Sequence, residues 1–140
     1  MLLTQILNQL NKALAGERLT LGQATPYIDY AIDQINSELG AIYPTLSDIG
    51  DTQTEYSYFP DQYIRTVVIP CAAWRFYVMD EEGLISAEQY HTDYLDNMFI
   101  MKRDMLYAVP IEYQVDPRAG SVLGNPYSMS LGFNRLDVQL

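Results

Sequence analysis

The stretch from Pro60 to Gly83, PDQYIRTVVIPCAAWRFYVMDEEG, is the most apolar part of the chain and the strongest constraint on its fold. Pro60 suits the opening of a helix and Gly83 its close. Pro70 stands in the middle. Inside a continuous helix it removes the bond to the Thr66 carbonyl and costs about 3 kcal/mol. The segment is therefore one kinked helix or two pieces, the second running from Pro70 to Glu82. Trp74, Phe76, Tyr77 and Val78 cover much of the circumference, the pattern of a central buried helix. Asp80, Glu81 and Glu82 fall at the C-terminal end, the unfavourable end for negative charge by a few tenths of a kcal/mol each. Either water solvates them or a neighbouring subunit supplies cations.

Three more helices follow from apolar spacing. Residues 3–15 place Leu3, Ile6, Leu7, Leu10 and Leu14 on one face, and Gly16 is a stop. Residues 16–24 read as a linker. Thr25-Pro26 is a start signal for a helix to Leu39, with Ile28, Ala31, Ile32, Ile35 and Leu39 inward and Gly40 as its end. Ser86 and Gln89 form a capping box for a helix to Tyr107. Tyr90, Tyr94, Met98, Met101 and Met105 are its inner stripe, adaptable core rather than a cofactor site. Residues 40–59 read as a loop. Within it TEYSYF permits a short strand, which a neighbouring subunit could pair.

Helical periodicity stops at Ala108. Residues 108–140 hold Pro110, Pro117 and Pro126, and Gly120, Gly124 and Gly132. VPIEYQV alternates like a strand. The rest is too long for a loop in a compact domain and too poor in charge for a solvated tail. An extended arm that orders on another subunit fits this pattern. The fold class is thus mainly α: a bundle of about four helices over residues 1–107 and an extended arm over 108–140, with room for a short strand or hairpin.

The formal net charge of −10 argues against nucleic-acid binding. No Lys or Arg lies between Arg18 and Arg65, whereas Asp29, Asp33, Glu38, Asp48, Asp51, Glu55 and Asp61 do. Such a surface is a solvated face, the wall of a DNA channel, or a DNA mimic. No apolar run approaches the roughly 18 residues of a membrane span. The first residues lack the basic flank of a signal peptide and read as an amphipathic helix. Cys71 is the single cysteine, which fits a reducing cytoplasm. The 12 tyrosines suit protein interfaces.

Catalysis finds little support. Cys71 and His91 are the nucleophile and base types, but Cys71 follows Pro70 in the most apolar segment and reads as buried structure. Glu88-x-x-His91 is half of a di-iron motif whose second half is missing, because the chain has one histidine. Asp93 and Asp96 read as a solvated pair. No phosphate-binding or nucleophile-elbow motif occurs. No catalytic residue, metal site or cofactor is expected.

TPYIDYAIDQINSEL, YPTLSD, FPDQYIRTVVIPCAAWRFYVMDEEG and VPIEYQ together resemble the head–tail connector (adaptor, or head-completion) proteins of tailed bacteriophages. Ile69 to Gly83 is the closest match, and the likeness covers about residues 25–115 in pattern. The resemblance implies a structural virion protein, not an enzyme. It implies a ring of copies, typically twelve, at the virion neck beneath the portal protein. That ring would extend the channel for packaged DNA without gripping it and would offer a platform to tail or nozzle proteins. Assembly would take place in the host bacterial cytoplasm, with no membrane involved. The arm would dock on the portal through Tyr113, Val115, Tyr127, Met129, Leu131, Phe133 and Leu136. Arg65, Asp80, Glu81, Glu82, Arg118 and Arg135 would be available for ion pairs with a neighbouring subunit or partner. The alternatives are a small acidic binding protein (a DNA mimic or phage regulator) or another tail-completion protein.

Overall fold

The structure, a computed structural model, describes residues 1–15, 17–50, 53–79 and 84–115, without the side chains of residues 84–86. It is mainly helical. The described residues fall into two units: those of 1–39 with 43–108, and 40–42 with 109–115.

In the first unit α1 spans Leu3–Ala13 and buries Leu3, Ile6 and Leu10, with Leu14 buried just beyond. Its start is tied to the loop that precedes Pro60. Leu2 and Glu55 form an antiparallel bridge, the Leu3 amide donates to the Thr54 carbonyl at 2.9 Å, and the Tyr56 amide donates to the Met1 carbonyl at 2.8 Å. Within the chain, the extended partner of TEYSYF is therefore the first residues, through a single bridge.

Helix α2 spans Leu21–Leu39, longer by five residues than the Thr25-Pro26 signal indicated. The cap is Thr20. Its amide donates to Gln23 Oε1 at 2.9 Å and its hydroxyl accepts from the Gln23 amide at 3.3 Å. This reciprocal pair satisfies two free ends of the first turn. Pro26 then sits inside the helix, where it forgoes a bond to Gly22, and the Thr25 hydroxyl donates to the Leu21 carbonyl at 2.7 Å. Ala24, Ile28, Ala31, Ile32, Ile35 and Leu39 face inward. Gly40 ends the helix at φ +63°, a left-handed conformation that glycine adopts without a Cβ penalty.

The loop after α2 is held by side chains. Asn36 on α2 clamps Tyr43, donating to its carbonyl and accepting from its amide, both at 2.9 Å. The short helix α3, Leu46–Ile49, is capped by Thr45, and Asp29 of α2 accepts from both the Leu46 amide and the Ser47 hydroxyl. Tyr43, Tyr56 and Phe59 pack edge to face.

The Pro60 segment is one helical run in three parts: α4 over Asp61–Tyr63, a π-helical turn over Ile64–Val68, and α5 over Ile69–Met79. The π turn explains how Pro70 is accommodated. The Ile69 amide reaches back five residues to Ile64, so the ladder is already out of α register where proline withdraws a donor. The burial differs from the central-helix expectation. Ile69, Cys71, Ala72 and Ala73 are enclosed, Trp74, Phe76 and Tyr77 are half-buried, and Val78 is exposed. Helices α1, α2 and α6 all pack against α5, and apart from Ile69 the side chains enclosed there are small.

Helix α6 spans Leu84–Met105, which leaves Ser86 and Gln89 inside the helix rather than framing its start. Ala87, Tyr94, Met98, Met101 and Met105 are buried, while Tyr90 is half-buried. Among the described residues no helix is long and apolar enough to cross a membrane.

In the second unit, Gly40–Ile42 meets the segment after Pro110. Ala41 and Gln114 form an antiparallel bridge, the Ile42 amide donates to Tyr113 at 2.7 Å, and the Val115 amide donates to Gly40 at 3.2 Å. VPIEYQV is not a strand. Pro110 opens a 3-10 turn over Ile111–Tyr113, and only a single bridge follows.

Candidate assembly surface

The large rings displaced from the core collect on one side of the first unit. Trp74 stacks on His91 of α6 at 4.4 Å between centroids and 19° between planes, and Tyr30 of α2 lies 6.0 Å away. The Arg75 guanidinium stands 4.6 Å over the Tyr30 ring, a contact worth about 0.5–1 kcal/mol at an exposed site. Further along, Tyr77 and Tyr90 stack at 5.9 Å, and both hydroxyls reach the Ala13 carbonyl at the end of α1. Tyr90 holds its proton above the usual phenol range, chiefly because burial disfavours the anion and then because Asp93 is near.

The flank of α6 beside this cluster carries apolar side chains in water. Leu95 is 52% exposed and Phe99 71% exposed. They lie one helical turn apart, and Arg103 continues the same row. Between this flank and the end of α2 runs an open groove lined by Glu38, Tyr94, Leu95, Met98, Phe99 and Lys102. Lys102 Nζ and Glu38 Oε1 are 3.4 Å apart with both side chains nearly half exposed, so the pair contributes little to stability.

A second groove lies between α1, α2 and α3, lined by Leu3, Leu21, Gly22, Thr25, Leu46, Ser47 and Gly50. Asp29, Asp33 and Asp48 gather near it. The Asp33 carboxyl is pushed above its ordinary value, first by partial burial and then by the charges of Asp29 and Asp48. The structure thus brings together acidic residues that lie nineteen positions apart at their extremes, a grouping that the charge count alone did not locate.

The residues singled out from the sequence divide sharply. Tyr113 is half-buried and its carbonyl accepts from Ile42; Val115 is exposed. Arg65 is exposed on the π turn. Asp80, Glu81, Glu82, Arg118, Tyr127, Met129, Leu131, Phe133, Arg135 and Leu136 lie outside the described residues. Cys71 is fully enclosed, and burial pushes its thiol up to about 12 despite the nearby Arg75, so it is not a nucleophile at neutral pH. His91 lies against the Trp74 ring rather than free in solvent. Among the described residues no cluster of three or more His, Cys, Asp or Glu is placed to hold a metal ion. Sequence reading missed the Leu95–Phe99–Arg103 row. Its signal was available: two large apolar residues four apart, on the flank of a helix whose core stripe was already assigned.

Compared with known proteins, the chain matches no family model, and neither a curated protein nor a solved structure is significantly similar to it.

Proposed function

We propose that this protein is a structural subunit of a bacteriophage neck, one copy in a ring that joins the portal protein to the tail. The observation that carries this reading is the exposed apolar row on α6. Leu95 and Phe99 are held on a long, well-packed helix rather than on a loop. Large apolar groups fixed on a rigid face in water mark an interaction surface. The sequence from Ala108 to Leu140, apolar but without helical spacing, supplies the second means of attachment, through pockets and backbone pairing on a partner. The acidic stretch between Arg18 and Arg65 suits a channel wall past which DNA must slide. The ring acts by shape: it sits beneath the portal, continues the channel and presents a platform to tail or nozzle proteins. Its place is the virion neck, reached after assembly in the host cytoplasm.

The test mixes purified protein with portal rings and images the product by negative stain. Added density stacked coaxially on the portal is the expected result. A chain lacking residues 116–140 should bind the portal at least tenfold more weakly. Unchanged portal particles, together with salt-sensitive capture of a basic DNA-binding protein by the monomer, would favour an acidic mimic instead; the Asp29–Asp33–Asp48 group supports that second reading.

A further inference from the structure

We propose that Tyr56 and Asp61, with Glu55 beside them, form a site for a free amino terminus. In a chain that starts at Met1, the first residues lock onto the 54–56 segment only while the Met1 amine carries neither an acyl cap nor a preceding residue. This concerns the first unit alone and does not depend on the neck reading above.

The Met1 ammonium donates to the Tyr56 carbonyl and to Asp61 Oδ1, both at 2.9 Å, and Glu55 Oε2 lies 3.9 Å away. The first residues of a domain are poorly ordered unless something ties them down. Here Met1 is 7% exposed and Tyr56 1%. Two backbone bonds frame the ammonium: the Tyr56 amide donates to the Met1 carbonyl at 2.8 Å, and the Leu3 amide donates to the Thr54 carbonyl at 2.9 Å. Met1 and Tyr56 therefore exchange two bonds, and one of them uses the ammonium itself.

The number of donors makes this a site for an amine rather than an amide. An ammonium carries three N–H groups. A formyl group, an acetyl group or a preceding residue converts it to an amide with one. One N–H cannot serve both the Tyr56 carbonyl and Asp61. A buried carbonyl left without a donor is costly. The charge matters less by itself, because the Asp61 side chain is 50% exposed and water screens the pair. It still sets the direction: Asp61 and Glu55 are both acidic, and a cap removes the cation between them. A cap also adds a carbonyl group at an enclosed position, so the first residues must shift to make room. Where synthesis begins on formylmethionine, hydrolysis has to come first. Water adds to the formyl carbon, the C–N bond breaks, and formate and the protonated amine are released.

Hydrogen exchange on the full chain tests this. One form has a free Met1 amine, verified by intact mass; the other carries Gly-Ser before Met1. The Leu3 and Tyr56 amides should exchange at least tenfold faster in the extended form, while the Ile32 and Ala72 amides of α2 and α5 stay unchanged. Asp61→Asn keeps an acceptor but removes the charge. It should speed Leu3 and Tyr56 exchange at least threefold in the free form and add nothing in the extended form. Limited acylation at neutral pH gives a second measurement on the unaltered chain. The Met1 amine should react at least tenfold more slowly in the native protein than in urea, with the exposed Lys12 as reference. Equal exchange in the free and extended forms would overturn the proposal, as would native acylation of Met1 at its unfolded rate. Faster exchange at Ile32 and Ala72 as well would overturn the local lock, because the whole unit would then have loosened. If the extended chain fails to fold, the Asp61→Asn and acylation results decide.

Discussion

The helical run from Asp61 to Met79 contains two apolar stretches of opposite fate. From Ile64 to Ala73 the side chains Ile64, Val67, Val68, Ile69, Cys71, Ala72 and Ala73 are buried. From Trp74 to Met79 the larger side chains are half-buried or exposed. Position on the run decides first, and on α5 size contributes, since Cys71, Ala72 and Ala73 are enclosed where Trp74, Phe76 and Tyr77 are half-buried. Three helices pack on α5, and interiors this crowded admit little excess volume. Ile69 and the small side chains occupy the crowded part, and the rings line the flank, where Trp74 stacks on His91, Tyr77 on Tyr90, and Tyr30 lies tilted beside Trp74. The apolar character of a segment thus does not say where its burial lies: here the rings end up half-buried and Val78 and Met79 exposed.

The largest effect should come from the first half. Ile64 is 1% exposed and sits in the π turn that accommodates Pro70. Ile64→Ala should cost about 2–5 kcal/mol, from lost transfer energy and a cavity that rigid neighbours cannot fill. Urea unfolding followed by circular dichroism measures it. A loss under about 1 kcal/mol would mean that the two halves do not differ in the way described.

Trp74→Ala should cost less, about 1–2 kcal/mol, because the ring is only half-buried and its worth lies in stacking and partial burial. A fully enclosed tryptophan would cost about 3–5 kcal/mol. A measured value in that higher range would erase the distinction between the halves. The native fluorescence maximum should likewise lie between that of a buried and that of a solvent-exposed indole.

Much of this architecture was legible in the sequence, for identifiable reasons. The inward residues of α1 and α2 and the buried part of the α6 stripe follow helical spacing, which depends only on backbone geometry. Helix starts were less legible. Thr25-Pro26 and Ser86-x-x-Gln89 are both sound local signals, yet α2 begins at Leu21, where Thr20 and Gln23 satisfy each other, and α6 already begins at Leu84. Several capping signals competed, and tertiary packing chose among them. The bridge between Leu2 and Glu55 joins residues more than fifty positions apart, which no local pattern encodes. The candidate surface was least legible. The exposed row on α6 depends on which flank α5 leaves uncovered, and the Asp29–Asp48 proximity depends on how α3 folds back on α2.

A third effect sharpens the comparison through pH. The Cys71 thiol titrates at about 12 in the folded chain against an ordinary value of 9.0. Between these values the unfolded chain has lost the proton and the native chain has kept it. The unfolded state then binds fewer protons, so stability falls as pH rises, by up to about 1.4 kcal/mol per pH unit. Tyr94 and Tyr56 are raised in the same direction by burial and add to the fall above their ordinary value of 10.0. Between pH 9 and 10 the slope should belong mainly to Cys71, and Cys71→Ala should flatten it. An unchanged slope in that variant would place the first half of the run in contact with water.

The smallest effect on stability should come from Phe99, and it is the most informative one for function. Its ring is 71% exposed, so removing it returns little surface to water when the isolated subunit unfolds. Phe99→Ala should change subunit stability by no more than about 0.5 kcal/mol. A buried core ring would show the reverse, a large loss on folding. A ring used in assembly should show its loss only between subunits, because truncating an anchor at the centre of an interface commonly costs 2 kcal/mol or more. Two measurements on the same protein therefore separate the cases: urea unfolding of the dilute subunit, and sedimentation over a concentration series. Unchanged stability with association weakened about thirtyfold or more, the equivalent of about 2 kcal/mol, assigns Phe99 to an interface. Unchanged stability with unchanged association makes the α6 row an ordinary exposed flank. The difference between the enclosed and the displaced side chains would then concern packing alone.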